Sequence, residues 1–251
     1  MSKVFSREMP VVAIDGPAGS GKSTIAKMLA KDFRLYQIDS GALYRSYTYY
    51  ALQFAKQKKI SSLSSGIIDT VEFGAFVKNI DFEIKFENNM QIIMVNEKNM
   101  EEFIREPVIS ENIKSVADNR LIRDLVNEAL KKIERKYPIV ADGRDMGTVV
   151  YPDADIKFFI TASLKERAKR RYKEFTQKHP GITLEAVEDQ ISIRDKDDEN
   201  RPYGALKQAK DSIFVDTTSK DLDGVYKEVV KNFRESSSKR IRNFIESLEK
   251  S

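Results

Sequence analysis

The chain contains no cysteine and a single histidine, His179, among its 251 residues. Without cysteine it has no disulfide, no thiolate metal site and no cysteine nucleophile. One histidine leaves no material for a histidine-rich metal site or an ordinary serine–histidine triad. Because His179 stands in the turn-like stretch "QKHPGI", we expect it at the surface rather than in acid or base catalysis. These absences exclude much of hydrolase chemistry.

Long apolar runs are absent as well. No run approaches the roughly 18 residues that span a bilayer, and the N-terminal "MSKVFSREMP" lacks the apolar core of a signal peptide. We therefore expect a cytoplasmic protein without membrane contacts. The net charge of +4 is small for this length, which favours a phosphate-bearing small molecule as partner and no nucleic acid.

Strand and helix patterns alternate along most of the chain. The apolar stretch "PVVAID" precedes Ile25, Met28 and Leu29 at helical spacing, and a second strand pattern, "LYQID", follows. Ser163 and Glu166 form a capping box that opens a later helix. Further strand patterns are "YPIVAD", "IKFFIT" and "SIFVDT", the last followed by a helix with Leu222, Val225, Tyr226, Val229 and Phe233 on one face. This alternation predicts an α/β fold with a central, mostly parallel sheet flanked by helices.

Three segments depart from that alternation. Between about residues 61 and 114, Phe82, Ile84 and Phe86 alternate with polar residues before Asn88 and Asn89, which predicts an antiparallel hairpin insert. Residues 172–211 are dense in charge of both signs, and this composition leaves open a flap or a solvated loop, the second being commoner. The basic residues 236–251 predict a solvated helical extension.

The stretch "GPAGSGKST" matches the phosphate-loop pattern G-x-x-x-x-G-K-[ST] between a predicted strand and a predicted helix. Such a loop points backbone N–H groups and a helix N-terminus at phosphate oxygens, while Lys22 reaches the outer phosphates and Ser23 is placed to ligate Mg²⁺. The loop by itself leaves a small-molecule kinase, a GTPase-like switch and a mechanical ATPase open. The predicted ATP-binding residues are Gly16, Pro17, Ala18, Gly19, Ser20, Gly21, Lys22, Ser23 and Thr24.

Two further patches follow predicted strands and should lie at the carboxyl edge of the sheet, where α/β proteins bind ligands. In "DSGALYR", a serine hydroxyl, a helix N-terminus and an arginine suit a second phosphate. In "ADGRDMGT", charges of alternating sign are too close together to be mere helix surface. The residues concerned are Ser40, Gly41 and Arg45 in the first patch, and Asp142, Arg144 and Asp145 in the second.

A third patch, "RDKDDENR", spaces Arg194, Asp198 and Arg201 by four and three residues. If this segment is helical, the three side chains share one face. Two guanidinium groups on one face could close over phosphates.

Together "GPAGSGKST", "DSGALYR", "ADGRDMGT", "IRDKDDENR" and the closing "DTT" resemble the bacterial cytidylate kinases over about residues 10–233. The resemblance implies a P-loop nucleoside-monophosphate kinase fold that transfers the γ-phosphoryl group of ATP to CMP or dCMP with Mg²⁺, as a monomer. It also implies one domain over residues 1–235 and an extension over 236–251. Within the domain it implies a core (10–60, 115–171 and 211–235), a substrate-binding insert (61–114) and a lid (172–210).

Carried over to this sequence, the family's motifs imply a role for each matching residue. The implied CMP-binding residues are Ser40, Gly41, Arg45, Ser115, Arg123, Arg144, Asp145, Asp198 and Arg201. The implied catalytic residues, which neutralise charge on the transferring phosphoryl group, are Lys22, Arg144, Arg194 and Arg201. The chain departs from the family twice: Lys114 stands where a base-contacting serine is frequent, with Ser115 next to it, and "RPYGAL" replaces a serine-proline-leucine sequence in the lid.

Physical chemistry supports Arg123 and Asp145 as readers of the base. Cytosine offers an N4 amino donor beside N3 and O2 acceptors, so Asp145 can accept from N4 while Arg123 donates to the acceptors. Uracil would set its O4 acceptor against the carboxylate, at a cost of about 1–3 kcal/mol. Two alternatives stay open: a kinase for UMP or another small phosphate acceptor, and an ATP-dependent switch whose basic tail contacts RNA.

Overall fold

The computed structural model describes residues 8–176 and 181–250. His179 and residues 177–180 of the predicted lid lie outside the described residues. The chain forms two compact units. The first unit comprises Met1–Gln37 and Glu134–Ser251, and the second unit comprises Ile38–Ile133.

Strands and helices alternate as the sequence predicts. The strands are β1 (Val11–Asp15), β2 (Tyr36–Asp39), β3 (Phe82–Glu87), β4 (Met90–Val95), β5 (Lys98–Asn99), β6 (Ile139–Gly143), β7 (Ile156–Thr161) and β8 (Ile213–Asp216). The helices are α1 (Lys22–Asp32), α2 (Ser40–Gln57), α3 (Ser65–Ile68), α4 (Val71–Lys78), α5 (Pro107–Asp118), α6 (Arg120–Glu134), α7 (Leu164–Thr176), α8 (Leu184–Glu199), α9 (Leu222–Arg234) and α10 (Lys239–Glu249). A π-helical turn spans Met146–Val150.

A parallel sheet forms the core of the first unit. Strand β1 lies between β6 and β7 and is parallel to both, and β8 extends the sheet beyond β7. All residues of β1 and β6 are buried, as expected for strands covered on both faces. The register pairs Asp15 with Gly143, so β1 and β6 end at the same edge. The phosphate loop and the "GRDMGT" stretch therefore start side by side.

The second unit combines helices with the antiparallel hairpin that the sequence predicts. Strands β3 and β4 pair from Phe82 opposite Val95 to Glu87 opposite Met90. Asn88 and Asn89 form the turn with φ of 49° and 64°, a conformation that asparagine tolerates better than most residues. Residues of β3 alternate between half-buried and exposed. The insert is thus a hairpin with one face packed and one face in solvent.

Helices α7 and α8 pack together around a small core of their own, formed by Ala168, Val187 and Ile191. Ser163 caps α7 by accepting the N–H of Glu166 at 3.3 Å, which confirms one half of the predicted capping box. The other half is wrong, because the N–H of Ser163 donates to Thr218 Oγ1 at 2.9 Å. The solvated-loop interpretation is wrong for Leu184–Glu199, because these residues form α8.

The expectation that all three charged residues of the third patch lie in a helix is only partly correct. Arg194 and Asp198 lie in α8, but Asn200 is its C-cap and Arg201 follows the helix end.

The C-terminal helices α9 and α10 belong to the first unit. Val225, Val229 and Phe233 of α9 are buried, but Leu222 is 49% exposed and does not share their environment as predicted. Helix α10 is docked rather than merely solvated, because Ile241 is fully buried and two residues near it bind Asp155, which directly precedes β7. Ser238 and Arg240 both donate to Oδ1 of Asp155, at 2.6 and 2.7 Å. Within the described ranges, no helix combines the length and apolarity needed to cross a membrane.

Candidate active site

The phosphate loop takes a backbone path that its glycines make possible. Gly16 has φ of 155°, and a Cβ placed there would lie 1.9 Å from the carbonyl oxygen of Ile160. Gly21 is the N-cap of α1 with φ of 89°, in the left-handed region that glycine favours. Gly21 has no side chain that could cap α1, so the N–H groups of its first turn suit an anion.

Side chains hold the carbonyl groups of the loop. Lys22 Nζ donates to Pro17 O at 2.9 Å. Arg167 Nη1 donates to Ala18 O at 3.0 Å, and a longer bond of 3.4 Å joins a Thr217 hydroxyl to Ser20 O. Sequence analysis assigned no role to Arg167 or Thr217, although "DTT" was part of the family pattern. These three bonds hold the carbonyl groups of Pro17, Ala18 and Ser20 in place.

Lys22 is buried, with 7% of its surface exposed. Burial, together with the positive charges of Arg144 and Arg194, lowers the pKa of its ammonium to about 7, although the carboxylates of Asp142 and Asp198 raise it. An anionic ligand would restore the charged form. Lys22 is therefore poised to respond to phosphate.

Asp142, near the end of β6, accepts hydrogen bonds from two side chains. The hydroxyl of Ser23 donates to Oδ2 at 2.5 Å, and Gln37 Nε2 donates to Oδ1 at 3.0 Å. Sequence analysis placed Asp142 at this edge but assigned it no role. The only available signal was a carboxylate directly after a buried strand.

Asp15 anchors the loop that follows β6. Its carboxylate accepts the N–H groups of Met146 and Gly147 at 2.8 and 2.7 Å. Burial raises the pKa of Asp15 to about 7, although these two hydrogen bonds lower it. Because Asp145, 2% exposed, directly precedes the anchored turn, Asp15 constrains its position. Sequence analysis assigned no role to Asp15.

Asp198 joins two of the predicted catalytic arginines. Arg144 Nε donates to its Oδ2 at 2.6 Å, and Arg201 Nη2 donates to its Oδ1 at 2.7 Å. Burial by itself would raise the pKa of Asp198, but Arg144, Arg201 and Arg194 outweigh burial and bring it to about 2. The first unit thus brings Lys22 and these three arginines into one electrostatic cluster.

In the second unit, Asp39 organises the "DSGALYR" patch. Its Oδ1 caps α2 by accepting Ala42 N–H at 3.0 Å, and its Oδ2 accepts Arg45 Nη2 at 2.9 Å. A Cβ at Gly41 would lie 3.1 Å from Asp39 Oδ1 and 3.2 Å from Arg45 Nη1, so any side chain there would crowd this pair. Ser40, the first residue of α2, is 3% exposed.

Gln91 of β4 also contacts this patch, since its Nε2 donates to Asp39 O at 3.2 Å. Its Oε1 and the Nε of Arg45 are buried without a hydrogen-bond partner in the described structure. Sequence analysis missed Gln91, because a polar residue in a hairpin ordinarily faces solvent.

Arg123, the predicted base reader of the second unit, is fully buried. Its Nη1 donates to Ala117 O at 2.9 Å, and its guanidinium carbon lies 5.4 Å from the ring centre of Tyr44. Ser115 is half-buried on α5, whereas Lys114 is exposed.

The predicted site residues thus divide between the units. The second unit carries Ser40, Gly41, Arg45, Ser115 and Arg123, and the first unit carries the loop residues 16–24, Arg144, Asp145, Arg194, Asp198 and Arg201. Among the loop residues, Thr24 is exposed.

The chain is similar to known proteins of one family. A family model described as "Cytidylate kinase" matches residues 12–235. A cytidylate kinase of Clostridioides difficile (strain 630) is 41% identical over 222 residues, which are 88% of this chain and 96% of that protein. A cytidylate kinase of Bacillus cereus (strain B4264) is 37% identical over 219 residues, covering 87% of this chain and 93% of that protein.

Proposed function

The chain belongs to the cytidylate kinase family, and we propose that it transfers the γ-phosphoryl group of ATP to the phosphate of CMP or dCMP. The observation that carries this proposal is the cluster of Lys22, Arg144 and Arg201 beside the phosphate loop. A loop for the donor and several guanidinium groups in one unit fit a reaction that moves a phosphoryl group. Products are ADP and CDP or dCDP.

We assign the ATP phosphates to the loop of residues 16–24 and to Lys22. The fixed carbonyl groups and the uncapped α1 N-terminus support this assignment. ATP phosphates would favour the ammonium form of Lys22, which burial disfavours.

We propose Mg²⁺ as the metal cofactor. Hydroxyl and carboxylate oxygens are ligands that Mg²⁺ prefers, and it usually takes one or two from the protein and the rest from phosphates and water. Ser23 and Asp142, joined at 2.5 Å, fit that description and would hold the ion. When bound, the ion supplies neutralisation of charge on the ATP phosphates.

The acceptor needs no strong general base. A nucleoside-monophosphate phosphate is already anionic at neutral pH, so its oxygen can attack the γ-phosphorus in line. Positioning and charge stabilisation then account for catalysis, and we assign the charge stabilisation to Lys22, Arg144, Arg194 and Arg201. Lys22 is buried and the three arginines are half-buried, which strengthens their interactions with charge relative to those in bulk water.

We further propose CMP contacts for the residues that match the family's motifs. Ser40, Gly41, Arg45, Arg144 and Arg201 would serve the phosphate, Asp198 the ribose side, and Ser115, Arg123 and Asp145 the base. The Asp145 carboxylate suits the N4 amino group of cytosine and repels the O4 of uracil. The predicted monomeric state, the cytoplasmic location and the boundaries of core, insert and lid stay predictions.

The test is a coupled ADP-release assay with ATP and Mg²⁺ and with CMP, dCMP, UMP or AMP as acceptor. Wild type is expected to prefer CMP and dCMP over UMP by about ten- to a hundredfold in kcat/KM. Asp145→Asn should reduce that preference, because an amide can also donate to O4. Asp153→Asn, an exposed acid of the same unit, is the matched control.

Other results would select other functions. Equal use of UMP and CMP would leave a kinase but overturn the base-reading assignment. No transfer to any acceptor, together with salt-sensitive RNA binding, would favour the ATP-dependent switch.

A further inference from the structure

The buried side chain of Arg167, on α7, meets both the phosphate loop and α8. Its Nη1 donates to Ala18 O at 3.0 Å and to Asp195 Oδ2 at 2.5 Å, and its Nε donates to Ala162 O at 2.9 Å. The other carboxylate oxygen of Asp195 accepts the N–H of Ala18 at 3.3 Å. One buried ion pair therefore holds both backbone polar groups of a phosphate-loop residue.

The ion pair between Arg167 and Asp195 is unusual because both side chains are buried. The side chains of Arg167 and Asp195 are only 8% and 11% exposed. Buried ion pairs contribute little net stability compared with apolar residues of similar size, because desolvation offsets the attraction. Their value lies in geometry, since the planar guanidinium fixes the direction of every bond it donates. Gly19 lies against the same arginine, because a Cβ there would be 3.3 Å from Arg167 Cβ.

Asp195 occupies a position in α8 from which it can orient the catalytic arginines. It is adjacent to Arg194 and precedes Asp198, the partner of Arg144 and Arg201, by one helical turn. Fixing Asp195 against Ala18 therefore sets where the end of α8 stands relative to the loop. Arg167 is the residue through which α7 bonds the phosphate loop, at Ala18 O.

We infer that Arg167 and Asp195 form a positioning pair that couples the phosphate loop to α8 and so aligns Arg194 and Arg201 with the transferring phosphoryl group. This inference rests on the proposed function. Neither residue needs to touch the reacting atoms. They would act by aligning the groups that do touch the reacting atoms.

Asp195→Asn keeps the shape of the side chain and removes its charge. Arg167→Lys keeps the positive charge and removes the planar guanidinium group, which donates several hydrogen bonds in fixed directions. A misplacement of about 1 Å can cost about 10² in rate. We therefore expect kcat per folded molecule to fall about ten- to a hundredfold in each variant, while KM for ATP and CMP changes by less than about threefold. Asp223→Asn, which breaks an exposed ion pair on α9, is the matched control and should behave as wild type.

A buried charge left without its partner can unfold the protein. The double variant Arg167→Met with Asp195→Leu removes both charges and avoids that problem. Because two residues that act as a unit are not additive, its kcat should be no lower than that of the worse single variant. A double variant with wild-type kcat per folded molecule would overturn the inference.

Amide hydrogen exchange without any nucleotide gives a readout that does not depend on activity. Asp195→Asn should raise exchange in residues 192–201 at least about tenfold over Asp223→Asn, with β1 unchanged. Unchanged exchange in residues 192–201 would overturn the positioning role whatever the activity. Absence of CMP phosphorylation in wild type would instead reject the proposed function and leave the exchange result to decide the pair.

Discussion

The two units differ in how the charged and amide side chains of their candidate sites are partnered. In the first unit the protein itself matches two buried carboxylates: Asp142 binds Ser23 and Gln37, and Asp198 binds two arginines. The buried side-chain atoms without a partner in the described part of that unit are hydroxyl groups, those of Ser20 and Thr148. In the second unit, Arg45 Nε and Gln91 Oε1 are buried without a hydrogen-bond partner in the residues described, although other atoms of both side chains bind Asp39.

This difference suggests that residues of the first unit act mainly in catalysis and residues of the second unit mainly in acceptor binding. Donors that are already fixed suit a site that stabilises charge without reorganising. A buried polar atom without a partner costs about 1–3 kcal/mol, and a ligand that supplied the partner would recover that cost on binding. We therefore expect substitutions in the first unit to act mainly on kcat, and substitutions in the second unit to act mainly on acceptor KM.

The largest effect is expected for Lys22→Ala, which should lower kcat by about 10³-fold, because it removes a buried positive charge from the site of charge development. Steady-state kinetics with ATP and CMP measure it. Lys27→Ala, on the exposed side of the same helix, should match wild type. A Lys22→Ala enzyme with more than a tenth of the wild-type kcat would contradict the catalytic role assigned to Lys22.

Arg201→Ala should lower kcat by about 10²-fold, since Asp198 and the transferring phosphoryl group both lose a guanidinium partner. The same assay measures this loss, with Arg242→Ala as control, because Arg242 is an exposed arginine of the same unit. Unchanged kcat and KM would contradict the role assigned to Arg201.

Arg45→Ala tests the second unit. Loss of a charge-assisted hydrogen bond of about 1.5–3 kcal/mol should raise KM for CMP about ten- to a hundredfold, with kcat within about threefold of wild type. Arg105→Ala, which breaks an exposed pair with Glu101, is the control. If kcat falls while KM stays constant, the proposal that the second unit acts mainly on acceptor KM is wrong.

The smallest effect concerns pH. The pKa of Lys22 is lowered to about 7 in the free protein, and bound phosphates favour its charged form, so ATP binding above that pH requires uptake of a proton. Affinity for ATP should therefore fall as pH rises above about 7, by at most tenfold per pH unit. Calorimetry at pH 8.5 in buffers of different ionisation enthalpy should detect uptake approaching one proton, and at pH 6 little uptake. Equal uptake at both values would contradict the assignment to Lys22.

Local patterns predicted most of the scaffold. The phosphate loop, the parallel strands and the Asn88–Asn89 hairpin each depend on signals within a few residues: glycine positions, apolar runs and alternation. The charged segment around Asp195 was harder, because its composition is that of a solvent-exposed surface. Only the packing of α8 on α7 shows that Asp195 and Asp198 are buried.

The sequence by itself determined the fold class and the family, because a strand–loop–helix with a phosphate-loop pattern is a local feature and the remaining motifs are contiguous. Tertiary structure alone decided the partners of the charged groups. Asp15 reaches Met146, Ser23 reaches Asp142, and Arg167 reaches Ala18 across 119 to 149 positions of the chain. Such contacts depend on which strands lie side by side and on what burial does to a charge, and neither is encoded in the spacing of residues along one segment.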